Sequence, residues 1–329
     1  MKIAVLGAGT FGTALAIHIA QQHPVILWTR NHEHLAAMRT ARANPRYLDG
    51  FSFPDHLQLE SDLHTALHQA DLVLSVVPTA GLRHVLREIR ESGCRAPVAW
   101  ACKGLEAESA KLPYEVAKEE LPAGHSYGAL SGPSFAVELA RGLPTAMTLA
   151  SADGVFARDA AALLHGRNLR VYSSTDVVGV SVGGALKNVV AIAAGISDGM
   201  EFGNNARAAL ITRGLAEITR FGVALGAKSE TMMGLAGAGD LILTCTGDLS
   251  RNRQVGLRLA KGETLNAILG GLGHVAEGVH TAREVVNRAH KHGVEMPITQ
   301  QVHQVLSEGL PPRVAVENLL NREQKAEVY

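Results

Sequence analysis

Two lysines and an aspartate stand in sequence settings that suit proton transfer to a carbonyl or hydroxyl group. Lys187 lies in a helical run that is otherwise small and apolar, with Gly183 and Val190 one turn away. A lysine that is desolvated near other cations has a lowered pKa and can act as an acid or a base. Lys187 is therefore the candidate proton carrier. The alternative is a lysine that reaches solvent from a domain interface.

The other two candidates follow a strand and a turn signal. Lys103 comes just after an apolar strand, at the edge where open α/β sheets bind ligands. Asp240 ends the glycine-rich stretch 237–240, which we predict to be a flexible loop, and its carboxylate could orient an ammonium or hydroxyl group. An N-cap is the open alternative for Asp240, because capping is the commonest role of a loop aspartate. Lys103 and Lys187 together predict a doubly cationic pocket between two domains.

A further cationic feature stands at the start of a predicted helix near residue 250. Ser250 can cap the helical run 254–259, so the free amides of its first turn and the Arg251 side chain converge on one point, with Asn252 beside them. The dipole of a helix N-terminus disfavours a cation unless an anion is bound there. The pattern favours a phosphate site. The alternative is an exposed arginine at a helix start.

The chain begins with an apolar strand, a glycine loop and a helix, in that order. Gly7, Gly9 and Gly12 form the spacing G-x-G-x-x-G. In dinucleotide-binding units the first glycine permits a tight turn, the second lets a pyrophosphate approach the backbone, and the third lets helix and strand pack closely. The context predicts a site for NAD, NADP or FAD, and the alternative is a glycine-rich turn without a ligand.

Arg30 ends the second predicted strand, roughly 20 residues after the glycine loop, where an NAD-specific unit places Asp or Glu. A cation there suits the 2′-phosphate of NADP and removes a carboxylate that would repel it. We therefore expect NADP (as NADPH) to be preferred and NAD to be usable. The alternative is that Arg30 is an ordinary exposed arginine.

The elements that must position these residues change character midway along the chain. Short β-rich runs alternate with helical patterns in the first half, which predicts βα units and a mostly parallel sheet, whereas the patterns from about residue 176 onward are helical. We expect an α/β Rossmann-type dinucleotide-binding domain at 1–174 and an all-α substrate and catalytic domain at 175–329. The predicted strands are 2–6, 25–29, 57–59, 72–76, 98–101, 126–130, 146–149 and 171–172, and the longest predicted helices are 177–196, 207–225 and 279–292.

Composition narrows the class of protein. The 329 residues carry 31 basic and 31 acidic side chains, so we expect no global attraction to nucleic acid or membrane. We interpret every apolar stretch as shorter than the roughly 20 residues of a membrane span, and the glycine loop starts too early for a leader.

Scattered cysteines fit a reducing cytoplasm, and the cysteine and histidine spacings predict no metal site. The large apolar helices suit a homodimer.

Ordered sequence blocks resemble one family over nearly the whole chain. The blocks are Gly7-Ala-Gly-Thr-Phe-Gly12, Lys103-Gly-Leu-Glu106, Ser131-Gly-Pro-Ser-Phe-Ala136, Leu143-Pro-Thr145, Gly184-Ala-Leu-Lys187-Asn188, Thr212-Arg-Gly214, Gly237-Ala-Gly-Asp240 with Leu243-Thr-Cys-Thr246, Ser250-Arg-Asn-Arg253 and Val275-Ala-Glu-Gly278. The chain thereby resembles the bacterial-type NAD(P)-dependent sn-glycerol-3-phosphate dehydrogenases. Cys102 and Ser134 stand where that family commonly has threonine, which leaves open whether Cys102 is sensitive to oxidation.

The resemblance implies the reversible reduction of dihydroxyacetone phosphate to sn-glycerol 3-phosphate, which supplies glycerophospholipid synthesis. It implies that the cofactor is lined by Thr10, Phe11, Arg30, Lys103, Ala136, Arg251, Val275 and Glu277. It implies that the substrate is held by Lys103, Gly132, Ser134, Lys187, Asp240, Ser250, Arg251 and Asn252, with Lys187 as the proton acceptor in alcohol oxidation. In this hypothesis Lys103 adds positive charge and lowers the pKa of Lys187, while Asp240 orients it.

Two other functions stay open. A β-hydroxyacid or ketopantoate-type reductase also joins a Rossmann domain to helices and uses an inward lysine. A substrate carboxylate needs only serine and asparagine, however, whereas Arg251 at a capped helix start favours phosphate. The second alternative is a non-catalytic redox sensor that binds NADP.

Overall fold

The computed structural model describes residues 1–272 and 276–323, which form ten β-strands and sixteen α-helices. The strands are β1 (Ile3–Leu6), β2 (Val25–Trp28), β3 (Ala43–Asn44), β4 (Leu48–Ser52), β5 (Leu57–Glu60), β6 (Leu72–Ser75), β7 (Val98–Trp100), β8 (Tyr127–Ser131), β9 (Thr145–Ala150) and β10 (Leu169–Ser174). The helices are α1 (Thr10–Ile19), α2 (His32–Ala41), α3 (Leu63–Leu67), α4 (Thr79–Glu91), α5 (Pro113–Glu120), α6 (Ala136–Ala140), α7 (Gly154–Leu164), α8 (Val177–Gly199), α9 (Gly203–Ala224), α10 (Ser229–Met232), α11 (Asp240–Thr246), α12 (Arg251–Ala260), α13 (Leu265–Leu272), α14 (Glu277–Lys291), α15 (Pro297–Ser307) and α16 (Pro312–Leu320). A π-helical turn, Leu235–Gly239, directly precedes α11.

Eight strands form one sheet in the order β10-β9-β8-β7-β6-β1-β2-β5. Neighbours pair parallel except β8 and β9, which pair antiparallel. The predicted Rossmann-type, mostly parallel sheet is confirmed, and each predicted strand is present with ends shifted by a few residues. The hairpin of β3 and β4 was not predicted, because its residues lack a regular alternation of apolar and polar side chains.

The strand order reverses at β1, which places a crevice beside the glycine loop. Ligands of open α/β sheets bind at the carboxyl ends of the strands at such a reversal. Gly7 follows β1 with a φ of +118°, and a Cβ there would lie 2.8 Å from the Val76 carbonyl oxygen beyond β6. A Cβ on Gly12 would overlap the Gly7 carbonyl oxygen. The first and third glycines thus allow the turn and the close packing of α1 on it.

Helix α8 is the core of the helical half. Asp176 caps it by accepting a hydrogen bond from the Gly179 amide at 2.8 Å. By length and composition α8 could cross a membrane, so the expectation that every apolar stretch is too short was wrong for this helix. However, 94% of its most apolar window is buried inside the protein, where α9, α11, α12 and α14 pack against it. A helix that is apolar on all sides is expected at the centre of such a bundle.

Small residues let α8 approach the elements that carry the candidate site. A Cβ on Gly183 would overlap the Ala236 carbonyl oxygen of the π-helical turn, and a Cβ on Gly195 would overlap the Arg253 carbonyl oxygen of α12. These contacts hold the π-helical turn and the start of α12 close to Lys187, which lies midway along α8.

The change from sheet to helices falls between β10 and α8, as the sequence predicts. The three longest predicted helices correspond to α8, α9 and α14, with ends that differ by a few residues. The division into two domains at residue 174 stays a prediction, since the ends of a strand and a helix do not define independently folding units.

Candidate active site

The Asp240 carboxylate lies between two lysine ammonium groups where the sheet meets the helical half. Lys187 Nζ donates to Asp240 Oδ1 at 2.5 Å, and Lys103 Nζ donates to Asp240 Oδ2 at 2.6 Å. Asp240 is 1% exposed and Lys187 is 7% exposed. The three residues that the sequence singles out for proton chemistry therefore meet in one buried cluster, in which two positive charges face one negative charge.

Burial sets the acidity of the Lys187 ammonium. It lowers the pKa of Lys187 to about 8, with Asp240 acting to raise it and the Lys103 charge acting to lower it. Burial also acts to raise the pKa of Asp240, but the two ammonium groups outweigh burial and leave that pKa below its usual value. Lys187 thus stays mostly protonated at neutral pH and can release its proton at mildly alkaline pH. This acidity suits a group that both gives and takes a proton.

Asp240 is the first residue of α11, so the predicted flexible loop at 237–240 was wrong. The π-helical turn that precedes it packs against α8 through Gly183, and this tertiary contact overrides the low helix propensity of glycine. Gly239 is the N-cap of α11, and both Asp240 carboxylate oxygens bind lysines, which excludes the N-cap alternative. A carboxylate in the first turn is also favoured by the helix dipole.

Thr244 completes the surroundings of Lys187 and was missed by the sequence reasoning. Its Oγ1 accepts a hydrogen bond from Lys187 Nζ at 3.0 Å and donates to the Asp240 carbonyl oxygen at 2.5 Å. Thr244 stands four residues after Asp240 on the same face of α11, and that spacing is the signal that could have identified it. The hydroxyl and the carboxylate together fix where Nζ points.

The Gly132 carbonyl oxygen lies beside the lysine cluster, just after β8. It accepts hydrogen bonds from Lys103 Nζ at 3.3 Å and from Ser134 Oγ at 3.0 Å. Gly132 has a φ of +139°, and a Cβ there would lie 2.9 Å from Met147 Cα, so the position admits only glycine. Gly132 and Ser134 are therefore close to Lys103, and their contact with a substrate stays a prediction.

Helix α12 begins at Arg251 with Ser250 as its N-cap, because Ser250 Oγ accepts a hydrogen bond from the Arg253 amide at 3.3 Å. The cap is the one that the sequence predicts. Arg251 is exposed, and its guanidinium makes no hydrogen bond or ion pair with residues 1–272 and 276–323, although its charge is near enough to Glu277 to act to lower the pKa of that carboxyl. A cation at a helix N-terminus that has no hydrogen-bonded carboxylate partner is available to a bound anion.

Asn252 is buried, and both groups of its amide are engaged within the protein. Its Nδ2 donates to Asn188 Oδ1 at 3.0 Å, and its Oδ1 accepts from the Gly278 amide at 3.1 Å. Asn252 thus joins α12 to α8 and α14. Its role as a direct substrate ligand stays a prediction. Asn188, which follows Lys187, is a site neighbour to which the sequence reasoning gave no role.

The outer side of the glycine loop fits a dinucleotide. A Cβ built on Gly9 would meet no protein atom within 4 Å, and α1 starts there without a side-chain cap. The amides of its first turn, at Thr10 and Phe11, are thus free to bind an anion. Ala136 begins α6, which packs against α1. The open approach and the uncapped helix are what a pyrophosphate requires.

The remaining candidates for cofactor contact lie on separate elements. Arg30 is exposed two residues after the end of β2. Glu277 is the first residue of α14 and accepts hydrogen bonds from the Thr79 amide and hydroxyl at 3.5 and 3.4 Å, and burial raises the pKa of Glu277. Because Thr79 begins α4 just beyond β6, Glu277 reaches the crevice from the helical half. Val275 lies outside the described residues.

Cys102 lies next to Lys103 but is poorly suited to oxidation. Burial raises the pKa of its thiol, and the nearby Glu277 carboxylate raises it further. Since the thiolate is the reactive form, we expect Cys102 to react slowly with oxidants.

Sequence comparison assigns the chain to a family. The model described as NAD-dependent glycerol-3-phosphate dehydrogenase N-terminus matches residues 2–157, and the corresponding C-terminus model matches residues 176–317. The chain belongs to this family. It is 68% identical to glycerol-3-phosphate dehydrogenase (NAD(P)+) of Methylobacillus flagellatus over 99% of both chains, and 60% identical to that of Nitrosospira multiformis over the full length of both.

Solved structures agree with this assignment. Glycerol-3-phosphate dehydrogenase from Coxiella burnetii has a TM-score of 0.93 and 43% identity, covering 98% of this chain and 99% of that one. A ketopantoate reductase from Ralstonia eutropha has a TM-score of 0.57 and 16% identity, covering 98% of this chain and all of that one. The second likeness is one of fold alone.

The acidity of Lys187 can be measured without any substrate. In protein labelled with 13C at the lysine ε carbon, we expect the Lys187 resonance, assigned by its loss in Lys187→Met, to titrate near pH 8 because the ammonium is buried. Lys103→Met removes a nearby positive charge and should raise this pKa, whereas Asp240→Asn removes the stabilising carboxylate and should lower it. A titration near the ordinary value of 10.5 would contradict the burial argument.

Proposed function

We propose that this protein is an NAD(P)-dependent dehydrogenase that interconverts dihydroxyacetone phosphate and sn-glycerol 3-phosphate, and so supplies glycerol 3-phosphate for glycerophospholipid synthesis. The observation that carries the proposal is the cluster of Lys187, Asp240 and Lys103, together with an exposed arginine, Arg251, at a capped helix start. Membership of the glycerol-3-phosphate dehydrogenase family supports it over the whole chain.

Lys187 is proposed to move the proton. In ketone reduction its ammonium donates a hydrogen bond to the carbonyl oxygen and then protonates the developing alkoxide. In alcohol oxidation neutral Lys187 accepts the hydroxyl proton. Asp240 and Thr244 hold Nζ in one orientation through the 2.5 and 3.0 Å hydrogen bonds. Lys103 leaves the cluster with an excess of positive charge, which stabilises negative charge on the substrate oxygen.

The glycine loop, α1 and Arg30 would hold a nicotinamide cofactor. When bound, that cofactor supplies or accepts the hydride at the central carbon of the substrate. The uncapped amides of α1 would bind the pyrophosphate, and Gly9 would leave room for its approach. In this proposal Glu277, Ala136 and the other candidates for cofactor contact would line the same crevice and touch the cofactor.

Arg251 and the first amides of α12 are proposed to bind the substrate phosphate. Phosphate at a helix N-terminus receives backbone hydrogen bonds and a favourable dipole, and the guanidinium adds a charge-assisted contact. Ser250 takes part indirectly, because its hydroxyl already caps the helix. The phosphate sets this substrate apart from the carboxylates that a ketopantoate-type reductase uses.

One assay separates the proposed function from both alternatives. We expect NADPH absorbance at 340 nm to fall with dihydroxyacetone phosphate and to change little with ketopantoate or unphosphorylated dihydroxyacetone. Faster turnover of ketopantoate would favour the hydroxyacid reductase. Cofactor binding without turnover of any of the three would favour a redox sensor.

We also propose that NADP is preferred to NAD, and that the protein is a cytoplasmic homodimer. Arg30 supports the preference for NADP. It is exposed near the end of the second strand, where a 2′-phosphate would lie, and neither residue next to it in the sequence is acidic. The burial of α8 supports a protein that is not inserted into a membrane.

Replacement of Arg251 tests the phosphate contact. Arg251→Ala should raise the Michaelis constant for dihydroxyacetone phosphate and lower kcat/KM. The loss of transition-state stabilisation should be about 2–4 kcal/mol, because a charged hydrogen-bonding partner is lost. The slow rate with unphosphorylated dihydroxyacetone should barely change. Lys261→Ala, at the exposed far end of the same helix, is the matched control and should leave both rates intact. Equal losses with the two substrates would show that Arg251 does not bind the phosphate.

Replacement of Arg30 tests the cofactor preference. Arg30→Asp should shift the ratio of kcat/KM values toward NADH, because it removes a phosphate contact worth about 1.5–3 kcal/mol and adds repulsion. Arg30→Ala removes the contact alone and should shift the ratio in the same direction by less. An unchanged ratio in both variants would make Arg30 an ordinary surface residue.

A further inference from the structure

The lysine loop, residues 101–112, connects β7 to α5 and carries Lys103. Its backbone includes left-handed conformations at Glu108 and Ala110, with φ of +65° and +53°, and Gly104 has a φ of +156°. Residues other than glycine adopt such conformations only where surrounding contacts hold them. The conformation of the loop that carries Lys103 therefore depends on what packs against it.

Lys103 belongs to a different half of the fold from the other two residues of the cluster. Lys187 and Asp240 both come from the helical half, whereas Lys103 comes from the sheet. The 2.6 Å contact between Lys103 and Asp240 therefore forms only when the lysine loop is held at a fixed position against the helices. A contact that spans the two halves at this loop would support that position.

Arg288 on α14 makes such a contact. Its Nη1 donates to the Ala110 carbonyl oxygen at 2.8 Å, and its guanidinium binds both carboxylate oxygens of Glu115, at 2.5 and 2.8 Å. Glu115 in turn accepts a hydrogen bond from the Leu112 amide at 2.8 Å. The side chain of Arg288 is only 13% exposed. One guanidinium from the helical half thus holds both the end of the lysine loop and the start of α5.

Two further contacts hold the same loop. A Cβ on Gly104 would lie 2.9 Å from Thr281 Oγ1, so the backbone next to Lys103 lies directly against α14. From the sheet side, Arg83 of α4 binds Glu106 through two hydrogen bonds of 2.8 and 2.7 Å. Helix α14 therefore contacts the loop at its beginning and at its end.

We propose that Arg288 is a positioning residue for the reaction: it holds the lysine loop against α14 so that Lys103 reaches Asp240. This inference rests on the proposed function, because Lys103 is assumed to act on the substrate oxygen. Arg288 itself touches neither the lysine cluster nor the glycine loop in this arrangement. Its effect on turnover is transmitted through Ala110, Glu115 and the loop backbone.

Kinetics of single and double variants test the connection. Arg288→Met should lower kcat for dihydroxyacetone phosphate by roughly ten- to a hundredfold, because a small displacement of a catalytic group has effects of that size. In a Lys103→Met background, Arg288→Met should lower kcat by less than about twofold. The reason is that Arg288 acts through the contact of Lys103 with Asp240, which is already lost in that background. Lys291→Met is the matched control: Lys291 is exposed at the end of the same helix and makes no ion pair with the described residues, so its replacement should be neutral. Losses that multiply independently in the double variant would overturn the proposal.

Hydrogen exchange supplies a readout that does not depend on the reaction. The Glu106 and Ala110 amides bond within the loop, to Lys111 and Glu106 carbonyl oxygens at 2.8 and 3.0 Å. Their protection should fall in Arg288→Met but remain in Lys291→Met, and protection elsewhere in the fold should remain in both variants.

Glu115→Gln serves as a second variant should Arg288→Met fold poorly. It weakens the ion pair yet keeps an oxygen that can accept from the Leu112 amide. It should also lower protection in the lysine loop. Unchanged protection in both variants would overturn the proposal. If protection falls in Arg288→Met but the wild-type protein does not turn over dihydroxyacetone phosphate, the positioning contact stands and only the proposed function is overturned.

Discussion

The rest of the site depends on a buried carboxylate that faces two ammonium groups. An isolated charge in the interior is strongly disfavoured, so Asp240 stays ionised only because Lys187 and Lys103 both donate to it. Two cations against one anion leave an excess of positive charge in a region from which water is largely excluded. That excess is what can stabilise negative charge on a substrate oxygen, and burial brings the pKa of Lys187 to about 8.

Close packing around α8 sets the geometry of this cluster. Helix α8 carries Lys187, the π-helical turn brings Asp240 against it through Gly183, and Gly195 lets the start of α12 approach. A side chain at either glycine would separate backbones that now touch, and so would move the charged groups apart. The small, apolar sequence of α8 therefore serves both the core and the chemistry, which explains why it is as apolar as a membrane-spanning helix.

Much of the fold could be predicted from the sequence, because strand and helix periodicities differ clearly between the two halves. Lys187 and the Ser250 cap could also be predicted, since each has a local signature. Asp240 was placed in a loop, because glycine-rich sequence suggests a turn when the neighbouring helix is unknown. The role of Thr244 and the contact of Arg288 with the lysine loop depend on distant segments meeting in space, and no local pattern predicts such a meeting.

The most direct test of the account is the turnover of Lys187→Met, measured together with its affinity for NADPH. Methionine keeps most of the side-chain volume and removes the proton, so turnover of dihydroxyacetone phosphate should fall by about 100-fold or more. The dissociation constant for NADPH, measured by fluorescence, should stay close to that of the wild type, since Lys187 is not among the candidates for cofactor contact. Near-normal turnover in a folded variant would contradict the central role given to the buried lysine.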